Sequence, residues 1–263
     1  MTDVKFDFSG KTALIYGGTT GIGRETAKAF AQAKAKVFVT GIGEADGKSL
    51  VDEIKKAGNA DVEYMEADVT SEAAIKSAQD KAIARFGRVD IAFNNAGISG
   101  PAGPIQDMSE KTFDMMINVN LKGIFLGMKH QIPHMLKNGG GCIVNTSSLF
   151  SELAFPSTAV YCGTKYAVTG MTRSAAFEVA RFGIRINSLA PGPVNTALLH
   201  EMFGSEAEAK RIVTRFVPQK RISHPSEQAR VVLWLCSDAA SFVIGHNVRV
   251  DGGGFEASAI DMD

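Results

Sequence analysis

Tyr161 and Lys165 stand four residues apart in the segment Tyr-Cys-Gly-Thr-Lys, and Ser148 lies 13 residues before the tyrosine. Residues i and i+4 share one face of a helix, so the Lys165 ammonium is predicted to lie beside the Tyr161 phenol. A nearby positive charge favours phenolate and is expected to lower the pKa of Tyr161 toward working pH. Ser148 ends the apolar run 142–148, which is typical of a buried strand. A proton donor, its charged neighbour and a polarising hydroxyl indicate chemistry on carbonyls and alcohols.

A second group of residues, near the N-terminus, has the pattern of a phosphate-binding turn. The apolar run 11–16 is typical of a short buried strand, and it leads into Gly17, Gly21 and Gly23, spaced Gly-x-x-x-Gly-x-Gly. Residues 24–33 then have a helical pattern. Glycines let backbone N–H groups approach an anion, and a helix N-terminus favours negative charge. The segment therefore predicts a site for a phosphate-bearing ligand.

Taken together, these motifs resemble the short-chain dehydrogenase/reductase family, in its single-domain branch with Gly-x-x-x-Gly-x-Gly and Tyr-x-x-x-Lys. Further matches occur in the family's order: Asn94-Asn95-Ala96-Gly97 after an apolar run, Asn118 to Gly123, Ile186 to Thr196, and Val248 to Gly253. The resemblance extends over about residues 8 to 254. Two positions depart from it, Tyr16 where relatives commonly have threonine and Lys220 where they often have glycine.

The resemblance implies four catalytic residues: Asn120, Ser148, Tyr161 and Lys165. Tyr161 would donate a proton to the forming alkoxide, and Ser148 would hydrogen-bond the same oxygen. Lys165 would also hold the ribose hydroxyls of the nicotinamide. Asn120 would keep a local helix break and a water that relays protons, with Asn118 as a second candidate. The neighbouring serine at position 147 is the rival to Ser148, but the family's interval to the tyrosine fits Ser148.

The resemblance also implies the residues that bind the cofactor. In chain order they are Gly17, Thr19, Thr20, Gly21, Ile22, Gly23, Gly41, Asp68, Val69, Asn95, Ala96, Gly97, Tyr161, Lys165, Pro191, Gly192, Val194 and Thr196. Asp68 is assigned to the adenine, and the alternative is a helix cap before residues 70–73. No metal site is predicted, because the three cysteines are not spaced for one.

The choice between NAD(H) and NADP(H) depends on the tip of the second strand, where a carboxylate would bind the adenosine 2′-hydroxyl. The tip reads Val39-Thr40-Gly41-Ile42-Gly43, with the first acid at Glu44. Ile42 stands where NADP-using relatives often have arginine, and Arg24 is a candidate partner for the 2′-phosphate. The missing acid favours NADP(H) weakly over NAD(H).

Short apolar runs alternate with helical patterns of 10 to 20 residues along the chain. This alternation predicts an α/β fold, a Rossmann-type doubly wound parallel sheet with helices on both faces, in one NAD(P)-binding domain of residues 1–263. A long helical region is predicted from about 109 to 136, broken near 118–123. Residues 193–219 are predicted to form a substrate loop or lid, in which basic residues are usually solvated but one could bind a carboxylate or phosphate. Ligands of such sheets bind at the carboxyl ends of the strands.

Composition limits the remaining classes. The 28 basic and 28 acidic residues cancel, so nucleic acid and anionic membrane are not expected partners. Apolar runs are too short to cross a bilayer and no signal-peptide pattern is present, so a cytoplasmic protein is expected. By the family's analogy we expect a homotetramer, or a dimer. A small-molecule alcohol or ketone is the expected substrate; the alternatives are a β-ketoacyl carrier-protein reductase and a non-catalytic nucleotide-sensing protein on the same fold.

Overall fold

The structure is a computed structural model, and it describes residues 4–254. The two ends of the predicted domain, 1–3 and 255–263, lie outside the described residues. A seven-stranded parallel sheet runs through the molecule in the order β3-β2-β1-β4-β5-β6-β7. Its strands are β1 (Thr12–Tyr16), β2 (Lys36–Gly41), β3 (Val62–Glu66), β4 (Ile91–Asn94), β5 (Gly141–Thr146), β6 (Ile184–Pro191) and β7 (Asn247–Val250). The predicted doubly wound sheet is confirmed.

Helices cover both faces of this sheet. They are α1 (Gly21–Gln32), α2 (Glu44–Lys56), α3 (Glu72–Phe86), α4 (Glu110–Ile117), α5 (Gly123–Lys137), α6 (Ala159–Val179), α7 (Ala197–Phe203), α8 (Glu206–Phe216) and α9 (Pro225–Cys236). Successive side chains of a strand point to opposite faces, so Ala13 and Ile15 of β1 join one core while Leu14 and Tyr16 join the other. Helices α1, α2 and α9 pack on the first face, and α3, α5 and α6 pack on the second.

The predicted break in the long helical region is a single π-helical turn, Asn118–Lys122, between α4 and α5. Such turns in α-helices frequently mark functional sites. This one brings Asn120, which is fully buried, against α6.

The first turn of the fold is tight because glycines occupy its contact points. Gly17 has a φ of 72°, and an added Cβ there would overlap Ala96. A Cβ at Gly23 would overlap the Gly17 carbonyl oxygen. Asn95 fixes the same carbonyl by donating to it from Nδ2 at 2.8 Å. The turn after β1 is therefore fixed against the end of β4.

Candidate active site

A cavity of about 350 Å³ lies along the carboxyl ends of the strands. Every predicted cofactor residue except Gly23 lines it, and so does Ser148. Gly23 lies beneath the turn, against Gly17, and Asn120 lies behind the lining. The cavity is also lined by residues that sequence reasoning considered for other roles, namely Ile42 at the tip of β2, Ser147, and Ala197, Leu198 and Leu199 of the predicted lid. The lining residues that it missed are Ala67, Ile98, Val119 and Thr146. Several of these neighbour a predicted residue in sequence, which was the signal that could have found them.

The N-terminus of α1 opens into this cavity without a side-chain cap. Thr20 is the N-cap residue, its side chain accepts no hydrogen bond from the helix, and the first turn holds no acidic residue. By contrast, α3 has Ser71 as its N-cap residue, and the Ser71 side chain accepts from Ala74 N. The first N–H groups of a helix need partners and carry partial positive charge. The α1 terminus is therefore suited to a phosphate, as the glycine spacing predicts.

Tyr161 and Lys165 lie on the same face of α6 and are both buried. The Lys165 Nζ atom lies 5.6 Å from the Tyr161 ring centroid and donates to the Thr146 carbonyl oxygen at 3.0 Å. Burial lowers the pKa of Lys165 to about 8, because the charged ammonium loses its hydration. The lysine is therefore held by the end of β5, at one wall of the cavity.

The predicted fall in the tyrosine pKa is wrong for this structure. Burial raises the pKa of Tyr161 to about 12, since loss of water disfavours the phenolate, and a hydrogen bond with Ser148 lowers it only partly. The ammonium of Lys165 does not offset this burial. Tyr161 is consequently a protonated phenol at neutral pH.

The two serines after β5 point their hydroxyls to different partners. The Ser147 hydroxyl donates to the Lys165 carbonyl at 3.3 Å and pairs with the Thr169 hydroxyl at 2.9 Å. The Ser148 hydroxyl accepts from Phe150 N at 3.1 Å, and it acts to lower the pKa of Tyr161. Ser147 thus fixes α6 to the sheet, and Ser148 is the serine that acts on the phenol.

Asn120 clamps the loop after β4 with both ends of its amide. Its Oδ1 accepts from Ile98 N at 2.8 Å, and its Nδ2 donates to Ile98 O at 2.9 Å. A Cβ added at Gly97 would lie 3.4 Å from Asn120 Oδ1 and 3.6 Å from Lys165 Nζ. Asn118, the alternative candidate, is only half-buried in the same turn. Asn120 is therefore the asparagine placed close to the lysine.

Two residues expected near the adenosine end have other partners as well. Asp68 lines the cavity, and its Oδ1 accepts from Thr70 N at 2.8 Å. The N-cap of α3 is Ser71, so the helix-cap alternative for Asp68 is wrong. Arg24 points to α2, where Nη2 donates to Glu53 Oε2 at 2.8 Å, and it does not line the cavity.

Tyr16, one of the two departures from the family pattern, has a structural role. The Tyr16 hydroxyl donates to the Ile75 carbonyl at 2.8 Å, so this departure from the family pattern tethers β1 to α3.

In the predicted lid, the side chain of Thr196 caps α7, and a Cβ at Gly21 would lie 3.1 Å from Thr196 Cγ2. Thr196, within the predicted lid, therefore lies opposite the start of α1.

Comparisons with known proteins agree with this architecture. A family model described as Enoyl-(Acyl carrier protein) reductase matches residues 17–254. Secoisolariciresinol dehydrogenase of Forsythia intermedia is 39% identical over 257 residues, covering 96% of this chain and 92% of the relative. The 2,5-dichloro-2,5-cyclohexadiene-1,4-diol dehydrogenase of Sphingobium indicum is 38% identical over 248 residues, covering 94% and 98%. The crystal structure of 3-ketoacyl-(acyl-carrier-protein) reductase from Brucella melitensis, complexed with NADH, has a TM-score of 0.86 at 32% identity and covers 94% and 99%.

The chain belongs to the short-chain dehydrogenase/reductase family. It is an NAD(P)-dependent oxidoreductase, which transfers a hydride between a nicotinamide cofactor and an alcohol or ketone. Across the described residues, none of the helices is both long and apolar enough to cross a membrane.

Proposed function

We propose that Tyr161 is the general acid/base of this hydride transfer, with Ser148, Lys165 and Asn120 completing the site. The observation that carries this assignment is that Ser148, Tyr161 and Lys165 line the same cavity, with the Lys165 Nζ atom 5.6 Å from the centroid of the Tyr161 ring. A carbonyl oxygen placed between the phenol and the serine hydroxyl would accept hydrogen bonds from both.

The residues present fit a dinucleotide. The glycine-rich turn and the uncapped start of α1 suit its phosphates, Gly41 and Asp68 line the adenosine end, and Lys165 lies beside Gly97 where a ribose hydroxyl would be held. Pro191, Gly192, Val194 and Thr196 line the wall where the nicotinamide would lie. The bound nicotinamide supplies the hydride in reduction and accepts it in oxidation.

The chain's own residues manage the proton. In reduction, the Tyr161 phenol gives its proton to the substrate oxygen as that oxygen becomes an alkoxide, while the Ser148 hydroxyl donates to the same atom. In oxidation, the phenolate must first form and then takes the alcohol proton. Because the pKa of Tyr161 is about 12, the reducing direction starts from the protonation state that dominates at neutral pH.

The test is Tyr161→Phe, which removes the acidic hydroxyl and keeps the ring. We expect kcat to fall by about a thousandfold, in the range that one acid/base group contributes. The dissociation constant of the dinucleotide is expected to stay within twofold, which fluorescence titration would measure. Activity above a few per cent of wild type would refute the assignment.

The finer choice of cofactor rests on the tip of β2. Of the described residues that line the cavity, Asp68 is the one with a carboxylate. The tip of β2 contributes Gly41 and Ile42 to the lining, and neither side chain carries a charge that would repel a 2′-phosphate. Arg24 is engaged by Glu53 and is not free to attract that phosphate. NADP(H) is therefore favoured over NAD(H) only weakly, by less than about tenfold, or about 1.4 kcal/mol. Titration with NADH and NADPH tests this, and tighter binding of NADH would reverse the order.

The exposed apolar surface bears on the oligomeric state of the protein. Large exposed apolar side chains lie on three helices of which α4 and α5 both contact α6: Phe113 and Met115 on α4, Phe125 on α5, and Tyr166 and Phe177 on α6. Covering them with a second copy of the chain supports a homotetramer, or a dimer as its half. Light scattering after size exclusion would distinguish these from a monomer. A cytoplasmic location and residues 193–219 as the lid of a single domain stay predictions.

A further inference from the structure

Thr146, the last residue of β5, is hydrogen-bonded to two parts of the site at once. Its carbonyl oxygen accepts from Lys165 Nζ at 3.0 Å. Its hydroxyl donates to Asn95 Oδ1 at 3.1 Å. Thr146 is buried and lines the cavity. It therefore lies between Lys165, at the reacting end of the site, and the loop after β4, which is packed against the glycine-rich turn.

The amide of Asn95 extends this contact to the glycine-rich turn. Its Nδ2 donates to the Gly17 carbonyl oxygen at 2.8 Å. A Cβ added at Gly23 would lie 2.8 Å from the same Nδ2, so the amide fills the space between the turn and α1. On the other side of β1, Gly18 N donates to Thr40 O at 2.8 Å. The peptide that opens the turn is therefore held from both neighbouring strands, and Asn95 supplies one of the two contacts.

The hydrogen-bond partners leave one orientation for the Asn95 amide. A carbonyl oxygen can only accept, so the amide atom that faces Gly17 O must be the Nδ2 donor, and Oδ1 then faces Thr146. The Thr146 hydroxyl must in turn donate, since Oδ1 has no proton to give. Without this hydroxyl, Oδ1 would be a partly buried acceptor that has lost its donor, and the amide would no longer be held against the turn.

The register of the sheet explains why these two side chains meet. Asn94 of β4 and Asn145 of β5 are partners in the parallel ladder, and Asn94 Nδ2 donates to Asn145 Oδ1 at 2.8 Å. Successive side chains along a strand point to opposite faces. Asn95 and Thr146, one position further along each chain segment, therefore come together on the face that α1 covers.

We propose that Thr146 is a positioning residue for the dinucleotide: its hydroxyl orients Asn95, and Asn95 fixes the turn that receives the phosphates. The proposal rests on the cofactor site of the proposed function and does not depend on Tyr161 as the acid/base. The contact with Lys165 uses a backbone oxygen, so a change of the Thr146 side chain leaves it in place. Loss of the hydroxyl should therefore weaken the binding of phosphates through the turn alone.

The experiment compares two substitutions of Thr146 in the complete protein by isothermal titration calorimetry. Thr146→Val replaces the hydroxyl with a methyl group of similar size, and Thr146→Ser keeps the hydroxyl. We expect the dissociation constant of NADH to rise about tenfold in Thr146→Val, because a donor to a partly buried acceptor is lost, and to stay within about twofold of wild type in Thr146→Ser. An unchanged dissociation constant in Thr146→Val would overturn the proposal.

ADP shows which part of the dinucleotide is affected, because it carries two phosphates but neither the nicotinamide nor its ribose. We expect ADP and NADH to lose affinity by the same factor in Thr146→Val. A loss confined to NADH would mean that the substitution acts at Lys165 and not through the turn, and would refute the proposal. Wild type that bound neither NADH nor NADPH would instead remove the proposed cofactor site, and this proposal with it.

A double-mutant cycle tests whether Thr146 acts through Asn95. In Thr146→Val combined with Asn95→Ala, the dissociation constant of NADH should equal that of Asn95→Ala alone, since no amide remains for the hydroxyl to orient. Losses of affinity that add up in the double variant would contradict the proposal.

Thr172→Val is the matched control for the loss of a buried threonine hydroxyl. Thr172 is buried on α6, at the other face of the sheet, and accepts from Asn145 Nδ2 at 2.9 Å. This variant should lose thermal stability as Thr146→Val does and keep the NADH affinity of wild type. An equal loss of affinity in both variants would reduce the effect of Thr146 to general destabilisation and refute its positioning role.

Discussion

Replacing Lys165 by methionine should make stability respond to pH differently from wild type. Methionine keeps most of the side-chain volume and removes the buried amine. The folded pKa of Lys165 is about 8, below its ordinary value of 10.5. Between these two values the unfolded chain binds more protons than the folded chain, so stability rises with pH there. In the variant this rise should be missing.

The magnitude follows from the shift. About 2.5 pKa units correspond to roughly 3.4 kcal/mol that the buried ammonium costs below pH 8. Removing the amine also leaves the Thr146 carbonyl unpaired, which costs about 1–3 kcal/mol. Lys165→Met should therefore be more stable than wild type by about 1 kcal/mol at pH 7. By pH 10 wild type recovers about 2.5 kcal/mol, so the order of the two proteins should invert.

Urea unfolding followed by circular dichroism at pH 7 and pH 10 measures this inversion, at one protein concentration because subunit association also affects stability. Lys129→Met is the control for the change in net charge, since Lys129 is exposed on α5 and pairs with Glu72 at 2.7 Å. The control should follow the pH response of wild type. Equal pH responses in Lys165→Met and wild type would refute the buried-amine reasoning.

Three further predictions follow from the site. The rate of alcohol oxidation should rise with pH by up to about tenfold per pH unit, because the phenolate of Tyr161 forms only toward its pKa of about 12. The rate of ketone reduction should show no such rise. Identical pH–rate profiles in both directions would contradict this. Gly23→Ala should lower thermal stability severely and abolish dinucleotide binding, because the new Cβ overlaps the preceding turn. Gly103→Ala is the control: a Cβ at Gly103 has no atom within 4 Å, so this variant should have the melting temperature and dinucleotide affinity of wild type. Asn120→Ala should destabilise the fold by about 2–4 kcal/mol in urea, because both backbone groups of Ile98 lose their partner, and a loss under 1 kcal/mol would contradict the clamp.

Much of this fold could be predicted because local patterns and the final structure agree. The apolar run 11–16 and the helical pattern 24–33 correspond to β1 and to most of α1, and the predicted break near 118–123 is the π-helical turn. The helix Pro225–Cys236 was not predicted as an element. Its signal was the capping box formed by His224 and Glu227, which sequence reasoning did not use.

The site could be predicted in its residues but not in its electrostatics. Spacing placed Tyr161 and Lys165 together, but the pKa of each depends on how completely the other elements exclude water. The partner of Arg24 was equally hidden, because Glu53 lies 29 positions away and reaches it only when α1 and α2 pack. Asp68 could be read as a cap until the actual N-cap of the next helix was known.

The strand order has a consequence for how the chain folds while the ribosome synthesises it. The first 94 residues supply β3, β2, β1 and β4, which are neighbours in the sheet, and each later strand joins the open edge left by the one before it. No strand has to be inserted between two that already pair, so a growing chain can build the sheet in the order of synthesis. An unfinished chain would meanwhile expose the β4 or β5 edge, which invites pairing with other chains. The first four strands, which carry the glycine-rich turn, can thus pair before Tyr161 and Lys165 have been synthesised.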